Sequence, residues 1–368
     1  HSKAKKIRLF LALATPWLMA ALYSHHPLLS FLISFAGSFY IFYISILSPW
    51  NFLDPDVAFS KQVMKPIVLV QLIFAGLMCC TSIFYFADHI GFQYFKHVRN
   101  YQVTELTYLL ARCQRMTLLA HLALVIGLTL QIKIKPLKRY KLNISIDKLL
   151  FYMSLFALLL IYILIRLPAL NQFSVYLKML TISAQMLLFI RGIYFKNLLY
   201  VCYGSTALTI LLLNATLTGY KETVLVYLIT FSFLAFPYFK KAIGISFLPL
   251  LALLLYVLPT FTTVMRKLSW TDHSAPQTAR LIAYEALVND DNEGLIKSNN
   301  WEFLTMRLSE ISMFSQYLKT VPEQQPYYGM QILSNSLFAL IPRAFWSEKP
   351  DTEKVAMERV YRSGVVNR

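Results

Sequence analysis

Residues 66–86 read PIVLVQLIFAGLMCCTSIFYF, a run without a single formal charge. About 20 apolar residues wound as a helix reach across the hydrocarbon core of a bilayer. Helix is the open choice for such a segment, because lipid offers no partner to an unpaired backbone group. The stretch therefore reads as a membrane span, and the rest of the chain agrees. With 57% hydrophobic residues, 14% charged residues and a mean hydropathy of +0.53, the apolar surface is too large for one soluble core.

Eight further apolar stretches lie near 7–23, 28–47, 116–132, 149–165, 175–190, 198–213, 223–236 and 242–261. Several fall short of 20 residues and need flanking residues to complete a crossing. The expected fold is all-α, a polytopic transmembrane helix bundle of about nine spans over residues 1–261. Residues 262–368 form a large, partly helical extracytoplasmic segment.

Orientation follows from the cations. With the N-terminus in the cytoplasm, that side collects Lys3, Lys5, Lys6, Arg8, Lys61, Lys65, the run from Lys133 to Lys148, Arg191, Lys196, Lys240 and Lys241. The opposite side holds fewer: Lys96, Arg99, Arg112, Arg115, Arg166, Lys178 and Lys221. The positive-inside rule supports that placement, and an odd number of spans leaves the segment after Phe261 outside. The net charge of +17 arises entirely before Thr262, since the segment beyond it is balanced. Basic loops facing anionic lipid account for this better than nucleic acid does.

Several chemistries find no pattern. Cys79, Cys80, Cys113 and Cys202 have no redox or zinc spacing. His25 and His26 lack a third ligand, and His121 stands alone on an apolar helix. Walker, GxSxG, GxGxxG and HExxH patterns are missing, so no cofactor or metal is expected. The basic, apolar start reads as an uncleaved first span, and His1 in place of Met reads as a processed or truncated end.

The segment after 261 is too long for an idle connection. Asn300 is placed to cap a helix on which Trp301, Leu304, Leu308, Ile311 and Leu318 recur at helical spacing. Arg307 sits at the edge of that stripe, where it could pair with Glu310 or face a ligand. Further on, IPRAFWSEKP (341–350) sets Arg343, Trp346 and Lys349 between two prolines that restrict the backbone. A second group, Thr218, Gly219, Tyr220, Lys221 and Glu222, puts a cation and an anion at a span end, where they pair, snorkel or meet a ligand. Arg112, Arg115 and Arg166 also lie near span ends, as anchors or as partners for phosphate oxygens.

Read in order, MRLSEISMFSQYL, PYYGMQIL and IPRAFWSEKP resemble three elements of the Wzy-like O-antigen polymerase family, bacterial polymerases of oligosaccharide repeat units. These elements are its arginine-containing helix, its "PY..G" turn and its "PR..W..KP" loop; Lys221 matches a short "G.(K/R)" element. Members of that family usually continue into further membrane helices, which this sequence does not carry. The resemblance implies a glycosyltransferase that joins polyprenyl-pyrophosphate-linked oligosaccharides at the outer face of the inner membrane, beside membrane lipid, a flippase and a chain-length regulator.

By that resemblance Arg343, Arg307, Lys221, Glu222 and Glu310 are the catalytic candidates, the cations for the departing pyrophosphate and the carboxylates for the acceptor proton. Lys349, Trp346, Tyr328, Tyr220 and Arg166 are the substrate-binding candidates, and Tyr327 neighbours the loop. A ligase moving finished glycan would use similar cations. A lipid-linked glycan flippase or other transporter would instead carry charges at mid-membrane, inverted repeats and interrupted helices, whereas here the charges gather at span ends and in the tail and no repeat is found.

Overall fold

The structure is a computed structural model, and it describes all residues except 1–2, 50–51, 55–56, 64, 132–142, 168, 218–220, 269–275, 290–291, 347 and 366–368. Among the described residues the protein is helical apart from one two-stranded hairpin. Seven helices are long and apolar enough to cross a membrane: Pro27–Leu47, Pro66–His89, Glu105–Thr129, Ile146–Ile165, Asn171–Tyr194, Leu198–Ala215 and Lys240–Met265. The first and eighth expected spans are also helical, within Lys3–Leu22 and Lys221–Ala235, where Arg8–Leu22 and Thr223–Ala235 are the apolar stretches among the described residues.

The chain forms two compact units, each discontinuous in sequence. One comprises His1–Leu137, Lys297–Tyr327 and Arg359–Arg368; the other comprises Lys138–Ile296 and Tyr328–Glu358. The segment after 262 thus contributes to both.

The first unit begins with α1 (Lys3–Leu22) and α2 (Pro27–Phe42), which runs on as a π turn over Tyr43–Leu47. Next come α3 (Pro66–Phe74), a second π turn (Ala75–Cys80) and α4 (Ser82–His89), together one span. Pro27 and Pro66 each occupy the first helical turn, where the missing N–H costs nothing. The hairpin β1 (Phe92–Gln93) and β2 (Lys96–His97) leads to α5 (Glu105–Gln131). One core gathers Leu13, Ile41, Ile46, Val68, Leu118 and Val125. A second gathers Phe31, Phe86, Leu110, Ala111, Cys113 and Ile311, with the Phe31 and Phe86 rings stacked 3.6 Å apart. Gly37 lets α2 come close: a Cβ there would stand 2.7 Å from Pro16 and 3.0 Å from Leu118.

The second unit holds α6 (Ile146–Ile165), α7 (Asn171–Tyr194), α8 (Leu198–Leu217), α9 (Lys221–Ala235), α10 (Lys240–Arg266) and α11 (Pro276–Val288). Ser145 caps α6 by accepting the Lys148 N–H. Helices α7 and α8 approach through Gly192 and Gly204, whose Cβ positions would lie 2.9 Å from the Val201 nitrogen and 2.5 Å from the Phe189 Cβ. Arg191 on α7 pairs with Asp147 on α6 and donates to the Tyr238 hydroxyl at 2.9 Å.

The remaining helices are α12 (Glu293–Glu302), α13 (Ile311–Thr320), α14 (Gln331–Leu340) and α15 (Thr352–Arg362). The single helix expected from Trp301 to Leu318 is broken, and Asn300 lies inside α12 rather than at its cap. Residues Phe303–Leu308 form a π turn, and Ser309 is extended at ψ 116. The break lets Ile311 start a new helix with its side chain in the Phe31–Phe86 core.

Candidate functional site

In the first unit a polar and aromatic cluster gathers where α4 ends and α5 begins. Trp301 is buried, and its indole N–H donates to Asp88 Oδ1 at 2.8 Å, while Arg99 donates to the Asp88 carbonyl at 2.8 Å. The hairpin turn is Tyr94–Phe95, both residues in the left-handed region at φ 51 and 63. Two consecutive positive φ values make the tight turn that suits a hairpin's twist, a place normally given to Asn-Gly. Aromatic residues there are strained, roughly 1 kcal/mol or more each. Their rings meet Trp301 edge-on at 6.0 and 5.3 Å, which offsets that strain. Gly91 is obligatory beside them: at φ 95 its Cβ would lie 2.2 Å from the Arg99 carbonyl oxygen.

Behind the hairpin, the Thr107 hydroxyl accepts from Tyr101 at 2.6 Å and from the Thr104 N–H at 3.0 Å. Its own proton is then left for His89 Nε2, 3.0 Å away. The π turn that packs on α4 carries Arg307, which is exposed and makes no hydrogen bond or ion pair among the described residues. Glu310 is half-buried at the N-terminal cap position of α13. Of the expected outer-face arginines, Arg112 is exposed on α5, whereas Arg115 is turned inward and donates to Ser30 Oγ at 2.7 Å.

In the second unit the loop 341–350 is clamped from within. Lys349 is buried, and its ammonium donates to the Ala339 carbonyl at 3.1 Å and the Ile341 carbonyl at 2.8 Å, closing the C-terminal end of α14. A cation there also suits the negative end of the helix dipole. Trp346 packs edge-on against Phe338 at 5.3 Å. Between these two anchors Pro342–Phe345 makes a turn, closed by the Phe345 N–H on the Pro342 carbonyl at 3.0 Å. Arg343 sits on that turn, exposed and without a hydrogen bond or ion pair among the described residues. Phe345 beside it is 85% exposed.

The other candidates are scattered over this second unit. Tyr328 is half-buried just before α14, and its carbonyl accepts from Gln331. Gly329, at φ 51, makes the turn expected after Tyr327 and Tyr328. Arg166 ends α6, exposed, stacked over the Tyr162 ring at 4.1 Å and donating to its hydroxyl. The adjoining residues Leu164 and Leu170 help line an apolar hollow of about 430 Å³ with Leu160, Phe173, Tyr176 and Leu177. Lys221 and Glu222 open α9. Tyr220, with Thr218 and Gly219, lies outside the described residues.

Sequence reasoning missed Asp88 and the Tyr94–Phe95 turn. Trp301 contacts residues about 200 positions away, so no local pattern announces the cluster; the adjacent aromatics Tyr94 and Phe95 between two apolar stretches were the available signal. His121, expected as a buried side chain and not a metal ligand, is buried and meets Gln71 at 3.0 Å. Among the described residues no group of His, Cys, Asp and Glu is placed to hold a metal ion.

Comparison with curated proteins and with solved structures finds no match. The profile of DUF8712, a domain of unknown function, covers residues 15–368 and with them both clusters, which makes the chain a member of that family.

Proposed function

We propose that this membrane protein polymerises oligosaccharide repeat units carried on polyprenyl pyrophosphate, at the outer face of a bacterial inner membrane. Its N-terminus would be cytoplasmic and residues 262–368 outside. The observation that carries this reading is Arg343: an exposed guanidinium on a turn fixed on both sides by Lys349 and Trp346. A planar guanidinium free of protein partners meets two phosphate oxygens at once, and a preset loop makes it an electrostatic stabiliser without reorganisation.

In the reaction, an acceptor sugar hydroxyl attacks the anomeric carbon of the growing chain. The bond from that carbon to pyrophosphate breaks, and the pyrophosphate leaves with the electron pair. Arg343 takes the charge that develops there, Lys349 holds the loop, and Trp346 and Tyr328 border it. In the same unit Lys221 and Arg166 are further cations for the lipid phosphates, with the apolar hollow next to Arg166 suited to a hydrocarbon chain. Glu222 is the carboxylate of this unit assigned to the acceptor proton, and Tyr220 is assigned to sugar contact. A flippase supplying the units and a chain-length regulator are the implied companions.

The test is the chain length of surface polysaccharide when the resident gene is replaced by Arg343→Ala, with membrane protein level checked. Loss of long polymer with single units retained is expected, at a rate cost on the order of 10² to 10³. Unchanged polymer would remove Arg343 from the chemistry. A second reading, transport of the lipid-linked glycan, is favoured by one observation: Arg115, Gln71, Gln114 and His121 lie within membrane-length helices, where polar groups mark pathways. Under that reading even single units would disappear from the surface when the gene is deleted.

A further inference from the structure

The spans of the first unit are joined by polar groups instead of by apolar packing alone. Ser30, Ser34, Ser38, Ser45 and Ser48 are buried along α2 and its π turn. Thr107, Gln114, Thr117 and His121 are buried along one face of α5. At 1.5 Å per residue the serine series covers about 27 Å, most of a hydrocarbon core about 30 Å thick. The contacts advance in step: Arg115 with Ser30, Leu118 with Gly37, and His121 with the Gln71 that also binds Ser45. Helix α5 therefore runs parallel to α2, with α3 and α4 antiparallel beside them, since Gln114 reaches the Cys79 carbonyl and Leu110 reaches Phe86.

The hydrogen bonds of this seam are incomplete, and the omissions share one sense. Gln71 donates its amide N–H to the Ile67 carbonyl, so its Oε1 faces Ser45 and His121 as an acceptor. His121 must then carry its proton on Nε2, leaving a lone pair on Nδ1. Among the described residues that nitrogen has no partner, and the residue is fully buried. Gln114 spends its N–H on the Cys79 carbonyl, leaving a fully buried Oε1 likewise without a partner among the described residues. The Ser38 hydroxyl, 1% exposed, faces the Cys79 thiol, which also neighbours Thr117. Two bare acceptors and a hydroxyl, spread over two turns of one helix face, require a small ligand rich in donors. Each would otherwise lose its solvation with no hydrogen bond in return.

We propose that this seam is a built water site inside the membrane, in which water donates to His121 Nδ1 and Gln114 Oε1 and is passed along by Ser38 and Thr117. A buried water needs two to four polar partners, and Ser38, Thr117 and Gln114 all adjoin Cys79, the first two at its thiol and the third at its carbonyl. The two π turns flank it, Tyr43–Leu47 carrying Ser45 and Ala75–Cys80 carrying Cys79. Such turns commonly mark functional points in membrane-length helices. The proposal is independent of the glycan reaction.

Water-edited solid-state NMR on the full chain in liposomes tests it. Labelling alanine and histidine with ¹³C and histidine and leucine with ¹⁵N singles out His121, its ring and the next amide, because Ala120–His121 and His121–Leu122 are the one Ala-His and the one His-Leu pair in the sequence. Polarisation from water should reach the His121 ring before it reaches the His121 and Leu122 backbone amides on the same helix. Gln114→Leu should slow this transfer several-fold while leaving transfer to His97 in the hairpin unchanged. A His121 ring in the unaltered protein that lights up no earlier than its apolar neighbours would overturn the proposal, as would a Gln114→Leu protein with unaltered transfer.

Discussion

The two units bury their membrane helices to different degrees. In the first, a third to a half of the best apolar window of each membrane-length helix is buried, whereas in the second the share falls from 44% for Asn171–Tyr194 to 6% for Lys240–Met265. The first unit hides serines, glutamines and a histidine between its helices; the second joins α6 and α7 by an ion pair at one end, Asp147 with Arg191, and leaves long apolar faces outward. Lipid tails are as apolar as leucine, so outward leucines give helices no reason to associate. Specific adhesion inside a membrane comes from close packing and polar contacts; in the first unit these run the length of the spans, and in the second they centre on α6, α7 and α8, with Gly192 and Gly204 close to neighbouring backbone and Ser154 and Gln185 meeting Tyr203.

That contrast can be broken most sharply at Phe31. Truncation to alanine removes a fully buried ring stacked on Phe86, and the packing share of the loss should be roughly 2–3 kcal/mol. Thermal unfolding in detergent should show a clear drop; a change as small as that of Phe345→Ala, an 85% exposed ring expected to move stability by no more than about 0.5 kcal/mol, would dissolve the contrast. Next in size is Gln71→Leu, which strips the acceptor from both Ser45 and His121 and should cost about 1–3 kcal/mol by the same measurement. In the second unit Lys349→Met keeps the buried stem but releases the Ala339 and Ile341 carbonyls. Global stability should fall by only about 1 kcal/mol, while protease cleavage at Arg343 should become faster; unaltered cleavage would mean that Lys349 does not hold the loop. Smallest is Asp147→Asn, where a partly exposed pair predicts a loss of under about 1 kcal/mol, shrinking further in high salt.

Much of the helical framework was legible in the sequence, because a membrane span announces itself by local composition. Among the described residues all nine apolar stretches are helical. The contents of the tail were less legible. The stripe from Trp301 to Leu318 has helical spacing, yet tertiary burial of Ile311 outweighs continuity and breaks it at Ser309. Lys349 has the sequence profile of a ligand-binding cation, and only the fold shows its ammonium bound to two main-chain carbonyls. The Gln71–His121–Ser45 contact joins residues 26 to 50 positions apart, beyond any periodic signal. Arg343 is the converse case: its two flanking prolines foretold a restrained loop, and the loop is restrained.

The bond from Trp301 to Asp88 sets a schedule for biosynthesis. The first unit lacks its closing segment until residues 297–327 emerge, after about 160 residues of the second unit have been made. At 5–20 residues per second the ribosome takes about 8–30 s over that interval. Throughout it, the apolar surface around Phe31, Phe86 and Leu110 that Ile311 will cover stays open, and Asp88 waits for its indole. The nascent protein therefore depends on the insertion machinery to shelter a half-finished bundle while five or six later helices pass into the bilayer.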